Sequence, residues 1–495
     1  MEQNQSTRPA DRASQDEKAR RVNDGGLPEG FADAVRLFDS LLGVGRSCDM
    51  VSRDYVIGGR RGRLWVVDGY GKDETLERMG AFWLSLPPSL LEPLAQMQEF
   101  VDQFVSFSEV SVSFDTEEIV TSVFLGKSLL LLDGCAGAAL IDCKEYPCRG
   151  VEEPPDGKVL RGSHDGFIEA LVPNMALLRR RIRDPHLVME AVRAGDRSRT
   201  DLVLCYLDDR VDQDLLEELR GKLARISVHS LTLGQESVAE VLRPGQWYNP
   251  FPKVRYTERP DAASASVLEG NIVLMADNSP SVMLLPATFF DFTQEANEFY
   301  FPPLIGSYLR LLRVVVFLLS LFITPAWLLA VHHPDILPGW LTFFSQPEPV
   351  SLSLLWQLLV VEFLIDVLKL ASLNTPDSLS SSFSMLGALI LGDFAVKSGW
   401  LGPEVLVYMA FVSVTAFAQP SYEMGYAFKL LRVALLLSTA AFVFWGFSLG
   451  CAGILVLLAT TKPLLGKGYL YPLIPFNGKA LRRLLLRVPI SRDNT

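Results

Sequence analysis

The sequence predicts an α/β soluble region of two related subdomains followed by a polytopic α-helical membrane domain. Three features of its 495 residues lead to this prediction. Long apolar runs fill much of the last third, a pattern of strands occurs twice before them, and a basic tail follows them. The net charge of −11 therefore reflects an acidic excess in the soluble region.

The apolar runs predict the membrane domain, residues 304–461. Leu311–Val331 contains one charged residue, Arg313, near its start. About 20 apolar residues cross a hydrocarbon core of roughly 30 Å, and a soluble core helix rarely runs that long without a polar face. Further apolar blocks follow at Ser351–Ala371, Ser382–Val396, Pro403–Ala418 and Ala427–Thr461.

The last of these blocks would be about 52 Å long as one helix, too long for a single straight crossing. We expect Gly446 and Gly450 to bend it into a hairpin. The basic tail, residues 462–495, then returns to the cytoplasmic side. Basic residues mark the cytoplasmic side of a membrane domain. Arg310 and Arg313 therefore place the start of the first span on that side, and Lys429 and Arg432 place the loop after Ala418 there.

The strand pattern predicts two cytoplasmic α/β subdomains, residues 31–155 and 197–303. In the first, DYVIGGRRGRLWVVDG predicts a hairpin around Gly58-Gly59, and SLLLLDGCAGAALIDC predicts a second hairpin. In the second, DLVLCYLDD and NIVLMADNSPSVMLLPA repeat this order of apolar strand, Asp and turn. The repeat favours an old duplication. The alternative is chance, because Asp is common where strands end in turns.

Composition and apolar spacing assign the remaining segments. Residues 1–30 are polar without an apolar period, which predicts a disordered tail. Residues 156–196 form a connecting helical segment with a basic patch, and the proline-rich residues 243–261 form an extended loop. Helices are expected at Ala32–Leu42, from Asp73, at Leu90–Phe104, at Phe167–Arg183 and at Gln213–Leu223.

The basic patch consists of Arg179, Arg180, Arg181 and Arg183. It is either a solvated helix face, a contact with lipid headgroups, or a contact with acidic residues of a neighbouring subunit. Because the rest of the soluble region is acidic, we favour the subunit contact.

Charged residues inside apolar blocks are the candidate pore residues. Glu362, Asp366 and Lys369 are spaced by four and three residues, which places them on one helical face. Asp366 and Lys369 can pair, whereas Glu362 and Asp366 repel unless a proton or cation lies between them. That arrangement suits a cation-attracting pore or vestibule. The alternative is an amphipathic helix lying flat at the interface with its charges in water.

Three further residues are weaker pore candidates. Asp393 and Lys397 are four residues apart in a short block rich in glycine and serine, which permits close packing or a re-entrant course. Glu423 follows the helix break at Gln419-Pro420.

The sequence argues against an enzyme and against nucleic-acid binding. It has no Walker loop, no HExxH motif, and no GxSxG or GxGxxG motif that follows a predicted strand, and its soluble region is acidic. The six cysteines form no CxxC pair, so free thiols are preferred over a metal site at Cys143 and Cys148. No cofactor is expected.

The first 25 residues are not a signal peptide, which keeps the soluble region cytoplasmic.

An ordered set of motifs resembles one known family. The motifs are RGSHDGFIE (161–169), NMALLRRRIRDP (174–185), RSRTD (197–201), TERPD (257–261), LLRVVVFLLSL (311–321), GALILGD (387–393) and QPSYEMG (419–425). They resemble the A-subunit family of bacterial spore germinant receptors, the GerA family, from about Cys48 to Pro475. Two positions depart from the family pattern: His164, where Arg is expected, and Asp393, where Glu, Gln or another polar residue is usual.

The resemblance implies a multi-pass protein of the spore inner membrane. It implies a homo-oligomeric channel, as a pentamer, that conducts ions early in germination, with monovalent cations as the permeant ions. Membrane lipid and a small membrane partner or other receptor subunits are the implied partners. The alternative is a non-conducting membrane sensor or scaffold that binds other germination proteins.

Overall fold

The computed structural model describes residues 26–71, 73–144, 163–228, 231–243, 245, 247–295, 300–334, 339, 350–373, 395–466 and 468–486. Most of the predicted tail lies outside these ranges, as does Asp393. The chain divides into two units. The α/β unit comprises residues 1–158, 163–242 and 256–285, and the helical unit comprises residues 159–162, 243–255 and 286–495.

The first sheet of the α/β unit is antiparallel, with the strand order β1-β2-β4-β5-β3. Its strands are β1 (Met50–Ile57), β2 (Arg60–Val67), β3 (Val110–Ser113), β4 (Ser128–Leu132) and β5 (Ala138–Ile141). Its helices are α1 (Phe31–Leu41), α2 (Asp73–Leu84), α3 (Pro88–Leu91), α4 (Met97–Phe104) and α5 (Thr116–Phe124). The predicted hairpin turns at Gly58-Gly59, where both residues have positive φ and glycine is favoured.

Helices cover both faces of this sheet, which explains why β4 is a continuous apolar run. Leu130 and Leu132 belong to a cluster around Trp83, whereas Leu129 and Leu131 belong to a second cluster around Trp65. Successive side chains of a strand point to opposite faces, so a strand buried on both faces shows no polar alternation.

The second sheet has the same topology, with the order β6-β7-β9-β10-β8. Its strands are β6 (Leu187–Ala194), β7 (Thr200–Leu207), β8 (Arg255–Thr257), β9 (Ile272–Ala276) and β10 (Val282–Leu285). Its helices are α6 (Leu171–Arg181), α7 (Gln213–Ala224), α8 (Gln235–Leu242) and α9 (Pro260–Leu268). The strands matched by sequence occupy equivalent places: β2 corresponds to β7, and the hairpin β4-β5 to β9-β10. The prediction of two related subdomains is confirmed.

Several details differ from the sequence predictions. The predicted extended loop, residues 243–261, contains strand β8 and the start of α9. Strand β6 lies within residues 156–196, the predicted connector, because LVMEAV pairs along its length with β7. The helix predicted at Leu90–Phe104 is two helices, α3 and α4. Pro93 lies between them, and proline removes a backbone donor and clashes with the preceding turn.

The helical unit begins with a 3₁₀ turn at Phe289–Thr293. Its helices are α10 (Pro303–His332), α11 (Leu354–Leu373), α12 (Ala395–Lys397), α13 (Pro403–Phe417), α14 (Tyr422–Thr460) and α15 (Gly478–Leu485). Among the described residues, α10 and α14 are long and apolar enough to cross a membrane, and α13 is a shorter apolar helix. The predicted class, an α/β region followed by a membrane-type helical region, is confirmed.

Helix α14 folds back on itself, as its length predicts. Val443 has non-helical backbone angles, φ 50° and ψ −119°. Beyond it, Gly446 lies against the carbonyl of Ser438, and Gly450 lies against the side chain of Leu435. Residues 435 and 450 of one straight helix would be about 22 Å apart. The reversal is therefore at Val443, and the two glycines permit its two arms to pack closely.

Replacing Val443 with glycine should stabilise the protein. A β-branched residue at these angles is strained by about 1–3 kcal/mol, and glycine removes most of that cost. We expect V443G to raise the thermal unfolding midpoint of the purified full-length protein. Val456→Gly is the matched control, because it removes the same side chain from the regular helix and should destabilise by about 1 kcal/mol. Equal destabilisation by both changes would contradict the assigned turn.

Candidate functional site

A buried charge network lies at the centre of the helical unit. Helix α11 carries Glu362 and Asp366 one turn apart, so both carboxylates lie on one face. Helix α14 carries Lys429 and Arg432, which are three residues apart and share a face for the same reason. Around these residues both helices are apolar, so each charge needs a partner of opposite sign inside the unit.

The two faces pair with each other. Arg432 Nη2 lies 2.5 Å from Glu362 Oε1, and Lys429 Nζ lies 3.6 Å from the same oxygen. Lys429 also forms an ion pair with Asp366. Arg432 Nη1 donates to the carbonyl of Ser320 in α10 at 2.8 Å. The network therefore joins α10, α11 and α14, and Glu362 and Arg432 are 7% and 5% exposed.

A cavity of about 450 Å³ adjoins the network. It is lined by charged, hydroxyl, aromatic and amide side chains, among them Glu362, Lys369, Thr415, Gln419, Tyr426, Lys429 and Arg432. The ammonium of Lys369 lies 6.0 Å from the ring centroid of Tyr426. Arg432 Nε and Gln419 Oε1 are buried and have no hydrogen-bond partner among the described residues. The cavity thus offers polar groups to water or to an ion.

The structure revises how the acidic residues are compensated. The sequence predicts that Asp366 and Lys369 can pair, and that Glu362 and Asp366 repel unless a proton or cation lies between them. In the structure, Lys429 and Arg432 of α14 form ion pairs with both acids. Because Glu362 is buried against α14, α11 is not a helix lying flat with this charge in water.

The other pore candidates that the structure describes, Lys397 and Glu423, lie apart from the network. Lys397 is exposed on the short helix α12. Glu423 is at the start of α14, 3.9 Å from Arg243, and Asp393 lies outside the described residues. The structure therefore brings together Glu362, Asp366 and Lys369 but leaves Lys397 and Glu423 apart from them.

Sequence reasoning missed the basic half of the network. Lys429 and Arg432 were interpreted as cytoplasmic loop residues, but both lie within α14 and Arg432 is buried. A signal was present: they are the only charged residues in the block Ala427–Thr461, and their spacing of three residues places them on one helical face, as the spacing of four does for Glu362 and Asp366. Isolated charges in two apolar helices predict an interhelical pair.

The predicted subunit contact at Arg179 is wrong, because its side chain is 1% exposed. Arg179 Nε donates to Asp49 Oδ2 at 2.7 Å, and Nη2 donates to Asp49 Oδ1 at 3.0 Å. Nη2 also donates to the carbonyl of Leu187 at 3.0 Å. Burial alone would lower the pKa of Arg179, but the charge and hydrogen bonds of Asp49 raise it overall. Arg179 thus joins the segment before β1 to the start of β6.

The other three arginines of the basic patch differ in how far their side chains are exposed. Arg181 is half-buried and forms an ion pair with Asp165 at 2.6 Å. Arg180 and Arg183 are exposed, so only these two remain candidates for the predicted subunit contact.

Fold and site together define a protein with a duplicated α/β region and a membrane-type helical unit that holds a buried charge network. The profile of the family described as "Bacillus/Clostridium GerA spore germination protein" matches residues 38–495. The chain belongs to this family, as the ordered motifs predicted.

Individual relatives agree with this assignment. Stage V sporulation protein AF of Bacillus subtilis (strain 168) is 35% identical over 450 residues, 91% of each chain. Within the family, GGRRGRLWVVDGYGKDE (58–74) and RGSHDGFIE (161–169) predict a likeness to this relative, and the similarity confirms it. Spore germination protein KA of the same organism is 28% identical over 417 residues, 82% of this chain and 76% of that protein.

One solved structure also aligns. It is the N-terminal domain of the A subunit of the Bacillus megaterium spore germinant receptor GerK3. The alignment has a TM-score of 0.41 and 23% identity, and covers 53% of this chain and 97% of that chain.

Replacing Arg179 with alanine should strongly destabilise the α/β unit. The change leaves the Asp49 carboxylate buried without its counter-charge, which typically costs about 3–5 kcal/mol. Arg180→Ala is the control, because the neighbouring side chain is exposed and its loss should change stability by about 0.5 kcal/mol or less. Denaturant unfolding of the full-length protein measures both. Similar unfolding midpoints for the two variants would show that the Arg179–Asp49 ion pair does not stabilise the α/β unit.

Proposed function

We propose that this protein is an ion-conducting membrane subunit of the spore germination apparatus. The observation that carries the proposal is the buried charge network in an apolar helical unit, beside a cavity that charged and hydroxyl side chains help to line. A charged residue in the middle of a membrane helix costs about 2.5–3.5 kcal/mol on insertion scales. Helices that serve only as anchors need no such residues, so their presence favours an ion or water path.

The paired charges fit a closed state. With Lys429 and Arg432 bound to Glu362 and Asp366, the acids carry no free negative charge that would attract a cation. Separation of α11 from α14 would expose two carboxylates to the adjoining cavity. In this proposal the network stabilises the closed state by holding α11 against α14.

Conduction in the proposal requires several copies of the chain. The family resemblance supports this part of the proposal, which is a homo-oligomer, as a pentamer, in the spore inner membrane with the α/β region cytoplasmic. Large apolar side chains of α11 and α13 are exposed, including Phe363, Val367, Val407 and Val414. Lipid, neighbouring copies, a small membrane partner or other germinant-receptor subunits would cover these surfaces. Monovalent cations are the proposed permeant ions.

A non-conducting sensor or scaffold is the second candidate. The observation that favours it is that both buried acids of the network are already paired with basic residues. Such a network can fix the packing of helices without any ion path, since one polar pair often specifies register.

Ion flux from liposomes tests whether the charge network stabilises a closed state. Glu362→Gln/Asp366→Asn would leave Lys429 and Arg432 buried without counter-charges and risks misfolding. Asp366→Asn/Lys429→Gln removes both members of one pair and leaves no charge unbalanced. If the pair contributes about 1.4 kcal/mol to the closed state, this variant should leak monovalent cations about tenfold faster than wild type.

The control is Arg193→Gln/Asp201→Asn, which removes an exposed ion pair of the α/β unit and should leave flux unchanged. Protein shown to be folded and oligomeric is used, together with any membrane partner that copurifies. Equal flux in wild type and in the Asp366/Lys429 variant would show that the ion path does not pass this pair. No flux from any form would support the scaffold.

A further inference from the structure

We propose that one surface of the helical unit binds the headgroups of an anionic lipid bilayer. This interfacial surface consists of helix α15 with the preceding residues 471–476, and of the aromatic pair Trp247 and Tyr248. The proposal concerns how the protein is held at the membrane surface and does not depend on whether the protein conducts ions.

Helix α15 has the composition of an interfacial helix. Lys479 and Arg482 are exposed and three residues apart, so they share one side of the helix. Leu481 and Leu484 are half-buried on the other side. The side chain of Asn477 caps the helix by accepting from the amide of Ala480. A short helix with basic and apolar sides is typical of segments that lie in the headgroup region.

The segment before α15 exposes large apolar side chains. Leu473, Ile474 and Phe476 are 43%, 59% and 74% exposed. Adjacent apolar groups left in water are unfavourable, and such patches mark sites that contact lipid or a partner. Because they border Lys479 and Arg482, the surface combines apolar and positive groups.

The aromatic pair belongs to the same surface. Trp247 is 93% exposed and Tyr248 is 59% exposed. Three residues after Tyr248, Phe251 contacts the ring of Tyr469 at a centroid distance of 6.2 Å, and the hydroxyl of Tyr469 donates to the carbonyl of Pro252 at 2.7 Å. Tyr469 lies just before the exposed segment 471–476. These contacts hold the aromatic pair and that segment on one part of the unit.

Two hydrogen bonds place this surface at helix ends. Asn249 Nδ2 donates to Thr461 Oγ1 at 2.7 Å, directly after α14. Arg310 Nη1, in the second turn of α10, donates to the carbonyl of Leu484 in α15 at 3.0 Å. Since α10 and α14 are long and apolar enough to cross a membrane, their ends lie where a bilayer meets water. Trp and Tyr are enriched at that level.

Charge complementarity identifies the occupant. The chain after Thr461 contains seven basic residues and one acidic residue, whereas the whole chain has a net charge of −11. The positive charge is thus concentrated where the apolar helices end. Anionic phospholipids attract such segments, and each nearby Lys or Arg adds to the affinity. We therefore assign the surface to anionic headgroups and not to a neutral bilayer or an acidic protein.

Hydrogen exchange of the full-length protein in nanodiscs tests the assignment. Peptides covering 471–486 are followed in discs of phosphatidylglycerol and in discs of phosphatidylcholine. We expect exchange to be on the order of tenfold slower in phosphatidylglycerol, because two basic residues contact the anionic surface. The peptide of α7, Gln213–Ala224, is the internal control and should exchange equally in both.

Variants distinguish charge from apolar contact. Lys479→Gln/Arg482→Gln should abolish the difference between the two lipids, whereas Arg197→Gln/Arg225→Gln, a matched pair of exposed basic residues in the α/β unit, should preserve it. Exchange that is equal in both lipids for wild type would overturn the assignment. So would a lipid-dependent difference that survives Lys479→Gln/Arg482→Gln in protein with an unchanged unfolding midpoint.

Discussion

The ion pair between Glu362 and Arg432 constrains the packing of the helical unit. An arginine and a glutamate buried in apolar surroundings are each unfavourable alone, so the helices that carry them must stay in contact. The contact extends to α10, because Arg432 also donates to the carbonyl of Ser320. Lys429 adds Asp366 to the same network. The register of α11 against α14 is thereby fixed more narrowly than apolar packing alone would require.

A second buried pair does the same for the α/β unit. Asp49 precedes β1 of the first sheet, and Arg179 ends α6 of the second subdomain, so their bidentate pair joins two subdomains that each have their own apolar core. Helix α6 contributes to both cores, with Ala176 in the first and Leu178 in the second. The two sheets have the same strand order, and this charged pair fixes one against the other.

Much of the fold was predictable because it depends on local patterns. Strands such as SLLLL, turns at glycine pairs and long apolar runs are each specified within a few residues, and their repetition revealed the two subdomains. The partners of charged residues were less predictable. Arg179 and Arg180 are adjacent in sequence, yet one is buried and the other exposed, and only the position of Asp49 in space decides which. Lys429 and Arg432 illustrate the same limit. Basic residues near a helix start predict a loop position, whereas their partners, Asp366 and Glu362, lie in another helix.

The same pairing decides how the candidate site must work if it conducts ions. Glu362 and Asp366 suit a cation path only when Lys429 and Arg432 move away, and those residues are held in α14, which also contains the reversal at Val443. A shift of α14 would therefore alter the pairing and the cavity together, since both lie along its first arm. Such a shift separates four charges in an apolar environment, which is unfavourable unless water enters the cavity as they part. Hydration of the cavity and rupture of the network are thus expected to be one event, and a rigid network would leave the cavity closed.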